Sequence, residues 1–436
     1  MVAPGARRRR LAAALSLLLA LLLGSLALLL SALAASSGPW TPLQPIPGLA
    51  SEHAVVWQLV GNPANPQQLA AATSRGVWLS SDGGQTWAAT TITEYAWAVD
   101  FTGSGSTLLA GTARSGLYRS TDGGQTWSQE NTGLRSLDVR AITSGPTAIV
   151  LGTQKGVYVS GTGTAWAQAG LRDLSISSVA IIADTPLGVV AGSDQVAQAD
   201  NLYRSLSVGA NGGWQALPGG DPGGAPVSAV AVGPLAKGAS TPPLLVGNLK
   251  GLYASSDGGD TWQAQSLAGG VLWAVNSIAF DPENPQVVYL GGDNGGSSGG
   301  GLQRSVDGGD SWAAFQQGLP ASDVTSIDVL PTSPLTVLAA VWNATSRTPG
   351  TARALDTNAP PPVALHSSSG TPISVVVSPT PAATASPRQH RTTKAKASSV
   401  AAWVVGVAAV VIVVLAILAT TLLRRRRRRL EAEAPP

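Results

Sequence analysis

The chain has 436 residues, with 51 Gly, 30 Pro, 13 Trp and only 12% charged residues, a composition that fits many short strands joined by turns. It has no Cys, and its three His, at positions 53, 366 and 390, are scattered; a disulfide scaffold, a thiolate metal site, a Cys nucleophile and a His-based zinc site are therefore excluded. The formal charge of +3 comes from the ends: between Gly38 and His366 there are 13 basic and 22 acidic residues, so that region carries −9 and offers no electrostatic basis for binding nucleic acid.

Arg7–Arg10 precede a Leu/Ala run that reaches Ala35, and Ala32-Leu33-Ala34 supplies a small-residue cleavage pattern. Residues 1–35 therefore read as an export signal, either cleaved or kept as an anchor, since the run is also long enough to span a bilayer. Residues 36–366 read as the folded body. Residues 367–399 are rich in Ser, Thr, Pro and Ala and bury too little apolar area to fold, so they read as a disordered stalk. Residues 400–423 carry no charge and are long enough for a transmembrane helix. Arg424–Arg429 follow at once, which places the 424–436 tail in the cytoplasm and the body on the extracytoplasmic side of a cell membrane.

Within the body a motif repeats. Ser80, Asp82, Gly84, Thr86 and Trp87 recur as Ser120, Asp122, Gly124, Thr126 and Trp127. They recur again as Ser255, Asp257, Gly259, Thr261 and Trp262, and as Ser305, Asp307, Gly309, Ser311 and Trp312. Degenerate copies end at Trp166 and Trp214, and successive Trp lie 40, 39, 48, 48 and 50 residues apart. Each copy follows a short strand such as GVWLS at Gly76 or GLYRS at Gly116, itself preceded by two more apolar strands and followed by a fourth. Four short strands every 40–50 residues predict the blades of a β-propeller.

Six Trp define six blades. A seventh set of strands, VTSIDV (324–329), TVLAAVW (336–342) and ARALDT (352–357), lacks an outer strand, whereas Trp40 at the other end of the body has no blade of its own. Placing the Trp40 segment in the last blade closes the ring and removes its open edge. The expected fold is all-β: a seven-bladed propeller of four-stranded blades closed by an N-terminal outer strand, with a C-terminal transmembrane helix.

The motif resembles the Asp-box, or BNR, repeat shared by sialidases, sortilin-type receptors, xyloglucanase-like glycosidases and the photosystem II stability/assembly-factor family, within the WD40/YVTN/BNR-like superfamily. In physical terms the box is structural. The Asp caps its own turn, paired Gly admit positive φ, Ser and Thr tie the turn across, and Trp is expected to pack against the next blade. A Ca²⁺ site on the box carboxylates lacks a full set of oxygen ligands, so no metal and no cofactor are expected. Tyr118, Tyr158, Tyr203 and Tyr253 share one repeat position and read as packing residues.

With strands lettered a to d from the axis outward, the boxes lie on the c–d turns. The b–c turns on the opposite face carry Arg75, Arg114, Lys155, Lys250 and Arg347, and the d–a loops there add Arg135, Arg172, Tyr95 and Trp273. Cations and aromatic rings around a mouth suit acidic protein segments, anionic glycans or carboxylates. The leading expectation is a membrane-anchored, non-catalytic scaffold for a protein or glycan ligand. The alternative is a cell-surface glycoside hydrolase resembling the sialidases, which use an arginine cluster and a Tyr–Glu pair. Against it, no F-R-I-P-like motif is present, and Glu94 and Tyr95 are neighbours that point opposite ways in an extended chain.

Overall fold

The computed structural model describes residues 38–366 apart from 51–52, 103–104, 185, 196–199, 209–212, 218, 220–223, 269–273 and 294–300. The signal, stalk and transmembrane expectations at 1–35, 367–399 and 400–423, the 424–436 tail, and Trp273 lie outside the described residues. Among the described residues no helix is long and apolar enough to cross a membrane.

The described residues form seven antiparallel sheets of four strands, each a meander in sequence order except the last. Blade 1 is β2 (Val56–Asn62), β3 (Asn65–Thr73), β4 (Gly76–Ser80) and β5 (Ala88–Ala89). Blade 2 is β6 (Ala96–Thr102), β7 (Thr107–Thr112), β8 (Leu117–Ser120) and β9 (Ser128–Gln129). Blade 3 is β10 (Val139–Ser144), β11 (Ile149–Thr153), β12 (Gly156–Ser160) and β13 (Ala167–Gly170). Blade 4 is β14 (Ile176–Asp184), β15 (Leu187–Ser193), β16 (Leu202–Ser205) and β17 (Gln215–Ala216). Blade 5 is β18 (Val227–Val232), β19 (Leu244–Asn248), β20 (Gly251–Ser255) and β21 (Gln263–Ala264). Blade 6 is β22 (Ala274–Asp281), β23 (Asn284–Asp293), β24 (Gly301–Ser305) and β25 (Ala313–Ala314). Blade 7 takes β26 (Asp323–Leu330), β27 (Leu335–Asn343) and β28 (Thr348–Asp356) from the end of the body and β1 (Trp40–Pro42) from its start.

The expected ring closure is present. Trp40 pairs with Ala354, its indole N–H donates to the Phe315 carbonyl at 2.6 Å, and its ring meets the Phe315 ring edge-on. The inner strands are apolar on both faces because each blade is sandwiched between two others, and each of the seven cores lies between neighbouring blades. A full Val or Leu side chain buried this way contributes roughly 1.5–3 kcal/mol. Glycine on the second strand makes the close approach possible: a Cβ at Gly291 would stand 2.3 Å from Val324 of the next blade.

The Asp boxes close as expected. In the first, Asp82 accepts the Thr86 amide at 2.8 Å and the Thr86 hydroxyl at 2.6 Å, while Ser80 Oγ donates to Asp82 and accepts the Gly84 amide, both at 2.8 Å. The same bonds recur around Asp122, Asp257 and Asp307. Hydrogen bonds from Thr86 and Thr126 hold Asp82 and Asp122 down at about 2. Asp257 is lowered in the same way, and Asp307 is lowered by Ser311 and Ser305 although burial opposes it. One expectation is corrected: each box Trp packs against the preceding blade, not the next. Trp127 joins the core holding Val60, Ala70 and Val77 of blade 1, and Trp312 the core holding Leu245 and Leu252 of blade 5. The c–d turn leans back over its predecessor, and this brings Leu79 of blade 1 within 2.2 Å of where a Gly124 Cβ would lie.

Candidate functional site

Every inner strand begins with the same irregularity. The pairing register skips one residue between Val56 and Gln58, between Ala96 and Ala98 and between Val139 and Ala141, and it does the same in the other four blades. The skipped residues are Trp57, Trp97, Arg140, Ser177, Ser228, Asn276 and Thr325, one per blade. A bulge re-aims its extra side chain out of the ladder. Because strand a starts at the d–a loop, all seven lie on the face opposite the Asp boxes, around the axis.

In blades 4 to 7 the bulge residue is small and polar, and it bonds a backbone carbonyl of the following blade. Ser177 donates to Val227 O at 2.7 Å, Ser228 to Val275 O at 2.9 Å, Asn276 to Val324 O at 3.3 Å, and Thr325 to Val56 O at 2.7 Å. In blades 1 to 3 the side chains are too large for that bond and gather instead. Trp57 and Trp97 lie 5.4 Å apart between ring centroids, and Tyr95 packs at 4.4 Å from Trp97 and 5.7 Å from Trp57. The Arg140 guanidinium lies over Trp97 at 5.4 Å and bridges Asp138 (3.2 Å) and Asp194 (2.7 Å).

Burial shapes the electrostatics of this cluster. It raises Asp138, against the pull of Arg140 and a hydrogen bond from Trp97. It pushes the Tyr95 phenol far above its usual range, so that hydroxyl stays protonated. The Trp57 indole N–H is buried with no hydrogen-bond partner among the described residues. The cluster thus combines three aromatic surfaces and one planar cation held between two carboxylates.

Of the expected face residues, Tyr95 belongs to this cluster. Arg75, Arg114, Lys155, Lys250, Arg347, Arg135 and Arg172 are all exposed on the surrounding turns and loops. Their turns are pinned. Thr73, Thr112 and Thr153 donate to the carbonyls of Gly76, Gly116 and Gly156 at 2.8–2.9 Å, and the Lys250 amide donates to Asn248 at 2.7 Å. Arg347 itself takes a left-handed φ of 56°. Sequence reasoning missed Trp57, Trp97, Arg140, Asp138 and Asp194. A signal was present: the residue after Val56, Ala96, Val139, Ile176, Val227, Val275 and Val324 is bulky in three blades and small in the other four.

Residues 118–129 match the family described as the BNR/Asp-box repeat. The chain thus carries an Asp-box repeat on a seven-bladed β-propeller. Among solved structures, YCF48 from Cyanidioschyzon merolae is similar at 18% identity, over 73% of this chain and 99% of that one, with a TM-score of 0.53. YCF48 bound to D1 peptide is similar at 17% identity, over 74% and 97%, with a TM-score of 0.55. The extracellular domain of BT4673 from B. thetaiotaomicron is similar at 12% identity, over 72% of this chain but 39% of that one, with a TM-score of 0.53. No curated protein matches the sequence. At these identities the likeness is one of fold.

Two further carboxylates are buried inside the propeller, on the inner strands that flank blade 1. Asp100 of β6 accepts from Ser144 Oγ at 2.6 Å, and Asp328 of β26 accepts from the Gly61 amide at 2.8 Å. Burial pushes Asp100 up to about 8, with Asp328 adding to the rise, and pushes Asp328 up to about 6. Both are at least nine-tenths buried and face neighbouring blades, so they bear on stability rather than on a ligand. Among the described residues no group of three His, Asp or Glu is arranged to hold a metal ion.

Proposed function

We propose that this propeller is a non-catalytic binding scaffold that captures a segment of a partner protein at the Trp57–Tyr95–Trp97–Arg140 cluster. The observation that carries the reading is the bulge ring. Four blades spend this position on fastening neighbours together, and three give up that bond to present aromatic rings and a guanidinium at one side of the mouth. Trp, Tyr and Arg are the residue types that dominate binding energy at protein interfaces. The exposed cations around the cluster suit acidic residues flanking that segment. The similar structure of YCF48 with D1 peptide supports a peptide as the ligand class on this fold. The propeller would stand outside the membrane on the 367–399 stalk, held by the 400–423 span, and protection of the tail alone from protease added to intact cells tests that placement.

The test of the function is photo-crosslinking in native membranes with the full chain. A crosslinker placed at Leu137, exposed beside Asp138, should capture a defined partner. Trp97→Ala should abolish capture, and Ser177→Ala, on the other side of the mouth, should leave it intact. Equal capture by all three chains refutes the site.

The glycoside hydrolase reading keeps one observation in its favour: Asp138 and Asp194 converge. A hydrolase of this type needs one carboxylic acid and one carboxylate free to act. Here a single guanidinium binds both, so neither carboxylate is free to act. Glu94 is turned away to Tyr118, 3.4 Å from its hydroxyl, so it does not pair with Tyr95. Hydrolysis of aryl glycosides that is lost in Asp138→Asn would reinstate the enzyme.

A further inference from the structure

On the Asp-box face, away from the aromatic cluster, the propeller has a second repeat rule. The residue just before the box Ser on strand c is Arg in blades 2, 4 and 6, namely Arg119, Arg204 and Arg304; in blade 7, which has no box Ser, Arg353 holds the equivalent register and lies beside Gly83 of the blade 1 turn. The first three occupy the same register, opposite Leu109, Val190 and Tyr289 on strand b. Each reaches toward the c–d turn of the next blade. Arg204 bonds Asp260 at 2.8 Å and the Gly258 carbonyl in the blade 5 box. Arg304 binds Asp356 at 2.5 Å, and Asp356 stands where the box Asp would be in blade 7. Each of these guanidinium groups has a carboxylate supplied by its neighbour.

Arg119 does not. The turn it approaches is the degenerate box of blade 3, where the chain runs Ser160-Gly161-Thr162-Gly163-Thr164 with no acid. Thr162 stands two residues after Ser160, where an intact box has Asp, and the turn is one residue shorter: Ser160 Oγ accepts the Thr162 and Gly163 amides, where Ser80 Oγ accepts the amides two and four residues on. The Arg119 side chain packs against Gly163, and its Nε is buried without a partner. No ion pair or hydrogen bond engages this guanidinium among the described residues. Where the carboxylate would sit there is instead a cleft of about 300 Å³, lined by Arg119 and by the hydroxyl-bearing Thr102, Thr107, Ser144, Thr147 and Thr162. No acid lines it. Asp100 lies behind Ser144, which donates to it, and Asp184 lies behind Gly145.

We propose that this cleft is a binding site for a small hydroxylated carboxylate, whose carboxylate engages Arg119 as Asp260 and Asp356 engage Arg204 and Arg304, and whose hydroxyls meet the Thr and Ser lining. The guanidinium fork matches a planar carboxylate in two hydrogen bonds, which a lone ammonium would not do. The volume admits a molecule the size of a sugar acid, at the lower end of small-ligand pockets. The repeat itself supplies the internal comparison, since Arg204 and Arg304 hold in cis the group that Arg119 is built to receive.

The experiment is equilibrium dialysis of the full-length chain in detergent with glucuronate, with acetate and sulfate as competitors. Glucuronate should bind, acetate should compete weakly, and sulfate should compete less than acetate. Arg119→Leu should weaken glucuronate at least about ten-fold, the loss expected for a charge-assisted hydrogen bond. Thr162→Asp should do the same by setting a carboxylate in the lining of the cleft that holds Arg119. No binding of glucuronate by the wild type overturns the site. Undiminished binding by Thr162→Asp overturns the pairing of the ligand with Arg119. Displacement by sulfate ahead of acetate overturns the carboxylate assignment.

Discussion

Blades 1 to 3 and blades 4 to 7 bulge at the same place and use the bulge in opposite ways. In blades 4 to 7 the extra residue turns its hydroxyl or amide to the carbonyl of the next blade, and the inner ring is stitched at Val227, Val275, Val324 and Val56. In blades 1 to 3 the bulge residue instead joins the cluster: Trp57 and Trp97 pack on each other and on Tyr95, and Arg140 lies over Trp97. A repeat fold tolerates this because its stability is close to a sum of neighbour interfaces, so one interface can lose a bond while the rest hold the ring. The difference teaches that the repeat specifies the backbone and that departures from it mark where side chains were free to serve a ligand.

The sharpest way to break the comparison is to truncate the presenting half. Trp97→Ala removes the ring that Trp57, Tyr95 and Arg140 all touch. Loss of a central aromatic anchor is expected to cost about 2–4 kcal/mol of affinity, roughly 30- to 1,000-fold, read as partner dissociation by surface plasmon resonance. Ser177→Ala should leave affinity unchanged. If both lower affinity alike, the two halves do not differ in function.

The buried carboxylates give the next largest effect, through pH. Asp100 and Asp328 sit above their unfolded values, so the folded state holds protons that the unfolded chain has released. Stability therefore falls as pH rises from about 4 to about 8 for Asp100, and from about 4 to about 6 for Asp328. Asp100→Asn should flatten that decline and gain on the order of 2–5 kcal/mol at pH 8, read from denaturant melts at each pH. The Asp boxes act with the opposite sign. Their lowered carboxylates stabilise above about 4, and that contribution is lost as pH falls toward 2.

Much of this was legible in the sequence, for reasons that particular residues make plain. The boxes are local: Asp82 binds groups no more than four residues away, so their chemistry is written in the spacing. Ring closure was legible because the last blade lacked one strand and Trp40 lacked a blade. The exposed cations on b–c turns were legible because the turns repeat. The aromatic cluster was legible only in part: Trp57, Trp97 and Arg140 share one repeat position, but they and Asp194 come from four blades, and only the fold shows that they meet. The direction of Trp packing was misread for a similar reason. Whether a c–d turn leans forward or back depends on how one sheet sits on its neighbour, and no single repeat encodes that.

Returning to the stitched half, Thr325→Val and Ser177→Ala each remove a hydroxyl that bonds a buried carbonyl. Each should cost about 1–2 kcal/mol. The two lie in different interfaces, so their losses should add in a double variant. A non-additive pair in chemical denaturation would mean that the ring transmits strain across blade 1.

The smallest effect is the most discriminating. If blades 1 and 4 differ only in the side chain at the bulge, a serine at position 57 should find the Ala96 carbonyl as Ser177 finds Val227. Trp57→Ser and Trp57→Ala both lose the packing of the indole against Tyr95 and Trp97, and that shared loss cancels between them. What remains is one hydroxyl and one carbonyl, about 0.5–1.5 kcal/mol in favour of serine. Melting of the two variants side by side reads this difference directly. A higher midpoint for serine would mean that the backbone of the presenting half still offers the stitch and that tryptophan there displaces it. Coincident midpoints would mean that the bulges of blades 1 to 3 are set differently from the start, so that the cluster is built into the backbone as well as the side chains.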